Sequence, residues 1–475
     1  MKVVIFGTGK YYQKHISEIR KNAEITALLD NNSRLWGTYF EGIQVYNPKD
    51  IIFIEYDKII LLSAKAYEMK SQLRMLGVLE EKICYGAEFN RHFGGVNPIV
   101  YGKIIEEYVG AKVAIVTTDM DYNGGTMAAI YAAQALKLKG YAVCLIAPFG
   151  NQTLIDFLVK MEITVYIYSS LPYVKVDEMA CIDLCEVVIV NVFQMIRCAC
   201  EISKKKPVIW WIHESSEKYS DIYTNVLGNF SDYAFKDNFS NLKIIGVSNI
   251  AKNNFNHFFP NCINDVMPYG IPDEKCEVKK VLSSKIIFAI IGGLCMCKAQ
   301  DIFIQAVASL SEEERESAEF WIIGKNFDKK ILNYVKDFAY NYSQIKILGE
   351  KNRTEMKELF KQIDVVVCSS REDCLPIVMT EGMMHGKLCI TTDKTGTVDY
   401  IIHGQNGLIC KANNVLDLAD KMSWAISNKK KLKKIGKCAR ALYEKIFTIE
   451  KFAERLNYYI EKTKYDYTHR IIEEN

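Results

Sequence analysis

Apolar residues fall along this chain in short β-branched bursts, each ending in glycines or a polar loop and followed by a stretch of helical spacing. KVVIFGTG (2–9) runs into a helical pattern over 11–21, and ITALLDNN and KIILLSA read as the next strands of that unit. FGGVNPIVYG (93–102) is a Gly/Pro-containing connector. The pattern then restarts with a strand at 113–118, a loop holding Gly124 and Gly125, and a helix over 126–139. EVVIVNV, PVIWWIH and LKIIGVS are its later strands, and MPYGIPDEK (267–275) is a second connector. KIIFAIIGG, FWIIGK, IKILGE, DVVVCSS and LCITT follow as short buried strands with helices between them, and 447–464 reads as a helix with an apolar face. Strands alternating with helices predict α/β domains built on parallel, doubly wound sheets. The expected division is a small domain at 1–95, larger ones at 103–270 and 271–446, and a terminal segment at 447–475.

Composition narrows the function without naming it. Sixty Lys and Arg against 57 Asp and Glu give a net charge of +3, which carries no global signal for nucleic acid. The 15 cysteines include the CxC groups Cys198/Cys200 and Cys295/Cys297, with no histidine at zinc-like spacing. Many lie in apolar runs, as expected of buried thiols in a reducing cytoplasm. The chain opens on a strand with no signal-peptide pattern, and no apolar run reaches the roughly 18–20 residues of a membrane span. The expected location is cytoplasmic, at most peripheral at the inner face of the membrane. KKKLKKIGKCAR (429–440) is read as a solvated helix face, with contact to anionic lipid heads as its alternative.

Three stretches carry candidate chemistry. Gly7 and Gly9 match the first two glycines of GxGxxG, but Tyr12 stands at the third, and Asp30 ends the second strand. A plain strand–turn–helix and a nucleotide or sugar-nucleotide site both fit. Asp119 and Asp121 imitate a metal-binding Asp-x-Asp but follow a first strand, and are read as loop polarity without a metal. REDCLPIVMTEGMMHG (371–386) is the most informative stretch. Its strand ends near Ser369, a loop carries Asp373, Pro376 suits a first helical turn, and Glu381 falls about one turn further on. The N–H groups of Cys374 and Leu375 and the helix start suit hydroxyl or phosphate oxygens, and a carboxylate beside them can accept two vicinal hydroxyls. In isolation the pair would be read as a charge at a helix start, ahead of a hydrolase couple or a binding clamp.

The wider pattern decides. Asp373 and Glu381, separated by seven residues, resemble the acid pair of family 4 glycosyltransferases, and residues 105–464 are similar to that family in further segments. IIGGLCMCKAQD resembles its glycine turn and diphosphate-binding lysine, giving Gly292, Gly293 and Lys298. FWIIGK and IKILGE resemble strands whose loops border the nucleobase, with Gly324 and Gly349 at the turns. GTVDYIIHGQNGLI resembles the element after the acid pair. YNGG resembles the N-domain glycine loop of Gly124 and Gly125, and WWIHES places His213 near the transferred sugar. The resemblance implies the GT-B fold, two Rossmann-like domains facing a cleft, with 1–95 as an additional Rossmann-like domain and the terminal helix crossing back to the acceptor domain. It implies transfer of a hexose with retention from a nucleoside-diphosphate sugar, UDP favoured, without a metal or other cofactor. Lys298, Asp373 and His213 would be catalytic. Glu381 would hold the ribose, and the Cys374 and Leu375 amides before Pro376 would hold the sugar. A glycan, lipid-linked or protein acceptor is expected, with a homo-oligomer left open. One departure stands out: the family often carries Arg where this chain has Gly293, leaving one cation at the usual place. The competing readings are a catalytically weak partner subunit and a sugar-nucleotide epimerase of the same fold.

Overall fold

The computed structural model describes residues 1–63, 65–216, 241–274 and 285–474. Lys275, the last residue of the second connector, and Asn475 lie outside them. The chain folds as two compact units, one built on Met1–Trp211 and the chain from Tyr458 onward, the other on Ile212–Ser216 and Ile244–Asn457.

The first unit holds two sheets. The N-terminal one runs in the order Tyr39–Phe40, Ile43–Tyr46, Glu24–Leu29, Lys2–Phe6, Lys58–Leu61, Ile83–Tyr85. It is parallel except for the hairpin made by its first two strands. Alternate residues of each strand feed two separate cores, with Val3 and Ile5 in one and Val4 and Phe6 in the other. That is the signature of a sheet covered on both faces. The next strands of this unit run in the order Val208–Ile212, Val187–Asn191, Lys112–Val116, Ala142–Ala147, Thr164–Ile167, Ile99–Tyr101. The last is an antiparallel edge within the stretch read as a connector. At three residues directly after Pro98 it is too short to show a period.

Arg91 pairs with Glu178 through two nitrogens (3.2 and 2.8 Å), and Lys14 pairs with Asp121 at 2.8 Å, so the N-terminal lobe is fastened to its neighbour by ionic contacts. From the terminal helix Ile449–Glu474, Lys464 pairs with Glu186 and the Tyr467 hydroxyl donates to the Lys205 carbonyl at 2.9 Å. Gly124 and Gly125 open the helix Gly124–Leu138 rather than forming the loop before it. The Asn123 carboxamide accepts the Thr126 N–H at 2.9 Å, and this cap lets poor helix formers occupy the first two positions.

The second unit carries one parallel sheet in the order Ile345–Gly349, Ala318–Ile323, Ile286–Ile291, Val365–Cys368, Leu388–Thr392, Leu408–Cys410. In chain order this is 3-2-1-4-5-6, the doubly wound order whose direction reverses between its first and fourth strands. Phe288, Ile290, Phe320, Ile322, Val365 and Val367 are buried in its main core. The reversal leaves an opening beyond the strand carboxyl ends, where Ile291 and Cys368 stand side by side. The thiols are mostly buried as expected, but Cys438 is exposed and Cys200, Cys262, Cys295 and Cys297 are partly so.

Candidate active site

Two loops leave the sheet at this reversal point. After Ile291, Gly292 turns the chain with φ +150° and leads through Gly293 to a short turn, Met296–Lys298, and the helix Gln300–Ser309. Ala299, at the start of that helix, takes a left-handed conformation at φ +55°, unusual for a residue with a Cβ. Its position is over-determined. The Ser369 hydroxyl donates to the carbonyls of Lys298 (3.1 Å) and Ala299 (2.9 Å), and the Arg371 N–H donates to the Cys297 carbonyl (2.9 Å). The Arg371 guanidinium also forks onto Asp301 at 3.1 and 2.6 Å.

The second loop carries Asp373, whose carboxylate is ion-paired with the Lys298 ammonium. Burial works against that ammonium, but the charge of Asp373, the neighbouring Cys368 and the hydrogen bond to Asp373 outweigh it and hold the lysine above its ordinary value. Backbone bonds fix the loop: the Asp373 N–H donates to the Lys394 carbonyl (3.0 Å) and the Gly396 N–H to the Asp373 carbonyl (2.9 Å). A Cβ at Gly396 would fall 1.7 Å from the Cys374 carbonyl oxygen, so only glycine allows this approach. Cys374 and Leu375 are buried, and neither of their N–H groups has an acceptor among the described residues. Pro376 caps the helix Ile377–Met384, just outside it rather than in its first turn.

Glu381 lies on that helix, and its carboxyl has no hydrogen-bond partner among the described residues. Burial first, then the nearby charge of Glu274, pushes it up to about 7, with Arg353 opposing. Glu274 itself pairs with Arg353 at 2.5 Å.

His213 follows the strand Val208–Ile212 and belongs to the same compact unit as Glu381. Burial pushes its imidazole down to about 3, so the ring is neutral at physiological pH. The His213 backbone N–H donates to the carboxylate of the buried Glu214 at 3.0 Å. Glu372 carries no signal of its own in the sequence, since it sits between two better-marked charges. It accepts from the Ser216 N–H (2.7 Å), the Ser216 hydroxyl and the Asn254 carboxamide. Glu372 thereby ties the segment carrying His213 to the loop carrying Asp373.

The structure thus gathers His213, Gly292, Gly293, Lys298, Gly324, Asp373, Cys374, Leu375, Pro376 and Glu381 in one unit, while Gly124 and Gly125 stand in the other. Lys325, which follows Gly324, is exposed and reaches Glu350 at 3.9 Å. Asp119 is occupied inside its own loop, accepting from the Asp121 N–H, Asn123 and Thr126. Asp30 is likewise occupied, accepting from the Thr8 N–H (3.1 Å), the Thr8 hydroxyl (2.6 Å) and the Asn32 N–H (2.8 Å). Among the described residues, no helix is long and apolar enough to cross a membrane.

Comparison with known proteins agrees with this geometry. Residues 273–442 match the family described as glycosyl transferases group 1, and residues 1–84 match the C2185-like N-terminal family. The chain is 29% identical over 163 residues to the uncharacterized glycosyltransferase MJ1178 of Methanocaldococcus jannaschii, covering 34% of this chain and 44% of that one. It is 27% identical over 119 residues to the N,N'-diacetylbacillosaminyl-diphospho-undecaprenol alpha-1,3-N-acetylgalactosaminyltransferase of Campylobacter jejuni, covering 24% and 30%. The matches therefore span less than half the length of these curated relatives. Among solved structures, Anabaena HepE in complex with UDP-glucose superposes with a TM-score of 0.62 at 15% identity, over 74% of this chain and 100% of that one. That likeness gives the fold as GT-B with an extra α/β lobe ahead of it.

Proposed function

We propose that this chain, whose residues 273–442 match the family described as glycosyl transferases group 1, moves a hexose from a UDP-sugar, with retention, to a glycan, lipid-linked or protein acceptor. On this reading 103–270 is the acceptor domain, 271–446 the donor domain, and 447–475 returns to the acceptor side. The observation that carries it is the Lys298–Asp373 pair, set at the reversal point of the sheet beside the two amides without acceptors. The diphosphate-sugar complex of HepE and the lipid-diphosphate acceptor in the Campylobacter relative's name support the substrate classes.

The pair also defines a resting state. Without donor, ammonium and carboxylate satisfy one another. A donor must exchange that bond for two others: diphosphate oxygens on Lys298, and sugar hydroxyls on Asp373 and the Cys374 and Leu375 amides. As the glycosidic bond breaks, negative charge grows on the diphosphate, where Lys298 and the helix-start amides stabilise it. Neutral His213 exchanges hydrogen bonds with the sugar without adding charge. Glu381 accepts the ribose hydroxyls. The departing phosphate takes the acceptor's proton, so attack and departure share one face of the sugar. Metal independence belongs to the same proposal.

A panel of nucleotide sugars scored for released UDP or GDP tests the reading, with Glu381→Ala as the control. Release from at least one donor, lowered about 10²- to 10³-fold in Lys298→Ala, is expected. Neither release nor nucleotide binding with any donor would falsify it and favour the partner-subunit reading, whose one support is the missing arginine at Gly293.

A further inference from the structure

Two loops run side by side off the carboxyl edge of the second unit's sheet, 292–294 after Ile286–Ile291 and 324–327 after Ala318–Ile323. They are zipped together by backbone bonds. Gly292 N–H donates to the Ile323 carbonyl (2.9 Å), Leu294 N–H to Lys325 (2.8 Å) and Phe327 N–H to Leu294 (3.3 Å). Leu294 and Asn326 add an isolated parallel bridge. This closeness depends on Gly324, at φ +149°, where a Cβ would fall 1.9 Å from the Gly292 carbonyl oxygen.

The zipped loops place the Phe327 ring over Gly293. A Cβ at position 293 would lie 2.3 and 2.4 Å from the ring's Cε2 and Cδ2 atoms, so no side chain fits there while the ring holds its position. The ring is nevertheless 60% exposed. The aliphatic stem of Lys298 passes the adjacent glycine, its Cδ and Cε 3.9 Å from where a Gly292 Cβ would be. Successive residues of one turn thus border an ammonium stem and an aromatic ring. A scattered surface phenylalanine needs no explanation. This one has a residue position kept empty for it, beside the lysine–aspartate pair.

We infer that Phe327 is a specificity-determining residue of the donor site: it takes the space of a side chain at position 293 and packs against a flat apolar face of the donor, nucleobase or sugar ring. The inference rests on the donor reading proposed above. The negative face of an aromatic ring repels phosphate, so the diphosphate is directed to Lys298 and the loop amides alone. The absence of an arginine is then the counterpart of the ring, one matched pair of positions in place of another.

Calorimetric titration of wild type, Phe327→Ala, Gly293→Arg and the double variant with UMP, UDP and UDP-glucose tests this, alongside urea unfolding of all four. Phe327→Ala should weaken binding by about 5- to 100-fold, the range for losing one stacked face. An equal loss with all three ligands assigns the face to the base, and a loss confined to UDP-glucose assigns it to the sugar. Gly293→Arg alone should bind UDP more weakly than wild type, while the double variant, with the ring removed, should raise the UDP-to-UMP affinity ratio about tenfold. Unchanged binding in Phe327→Ala would overturn the inference. So would equal behaviour of Gly293→Arg and the double variant in both binding and unfolding. If the wild type binds none of the three ligands, the donor reading falls and takes the specificity role with it, while unfolding of the four proteins still decides whether positions 293 and 327 are packed as a pair.

Discussion

Two glycine turns in this chain look alike in sequence and differ in chemistry. Each follows a first parallel strand, leads into a helix and has a carboxylate close by: Gly7–Gly9 with Asp30, and Gly292–Gly293 with Asp373. In the N-terminal turn the carboxylate is consumed by its own loop, accepting from Thr8 and Asn32, and the position of the third glycine is filled by buried Tyr12. In the second turn the carboxylate has a cation as its partner, and the amides following it have no acceptors among the described residues. The motif alone therefore says little. What separates a structural turn from a reactive one is whether the acid's bonds close within the loop or leave groups that a ligand must satisfy.

Four experiments press on that contrast. Lys298→Ala should lower UDP release by about 10²- to 10³-fold, the usual cost of losing one preorganised charge-stabilising group, measured as kcat with an active donor. Gly324→Ala should cost about 4 kcal/mol in urea unfolding, since its Cβ would meet the Gly292 carbonyl and its φ is unsuited to alanine; a near-neutral result would show that the two loops can part. Asp30→Asn should cost about 1–3 kcal/mol of stability by leaving loop N–H groups mismatched, with donor turnover unchanged. If turnover falls and stability holds, the N-terminal turn is a ligand site after all and the contrast fails.

The smallest effect concerns pH. Glu381 is pushed up to about 7 in the folded chain, above its ordinary 4.5. Between those values the native state holds a proton that the unfolded state has lost, so this group's contribution to stability falls as pH rises through the window. Hydroxyl donors from a ribose favour the charged carboxylate, so UDP affinity should move the other way and strengthen several-fold from pH 6 to 8. Glu381→Gln should flatten both profiles. A wild-type affinity independent of pH would detach Glu381 from the nucleotide.

Much of this architecture is legible in the sequence alone. The strand bursts, the acid pair at fixed spacing and the lysine after its glycine turn are local patterns, and the sheets follow them. The rest depends on partners far apart in the chain. Glu372 reaches Ser216 across 156 residues and Asn254 across 118, and no local period marks such contacts. Phe327 reads as one more apolar residue after a strand, because the empty position it fills belongs to another loop. Ile99–Tyr101 is too brief to stand out from its connector. Gly124 and Gly125 read as a loop because glycine signals a break more often than a capped start.

Glu372 also bears on how this sequence can drift. Its Oε1 receives two donors and its Oε2 a hydroxyl. Glutamine could keep the first two and turn its amide toward Ser216, whose hydroxyl can accept as readily as donate. Aspartate, one methylene shorter, would reach neither group. The position should therefore accept loss of charge more easily than loss of length, the reverse of what its place beside Asp373 in a run of charges suggests.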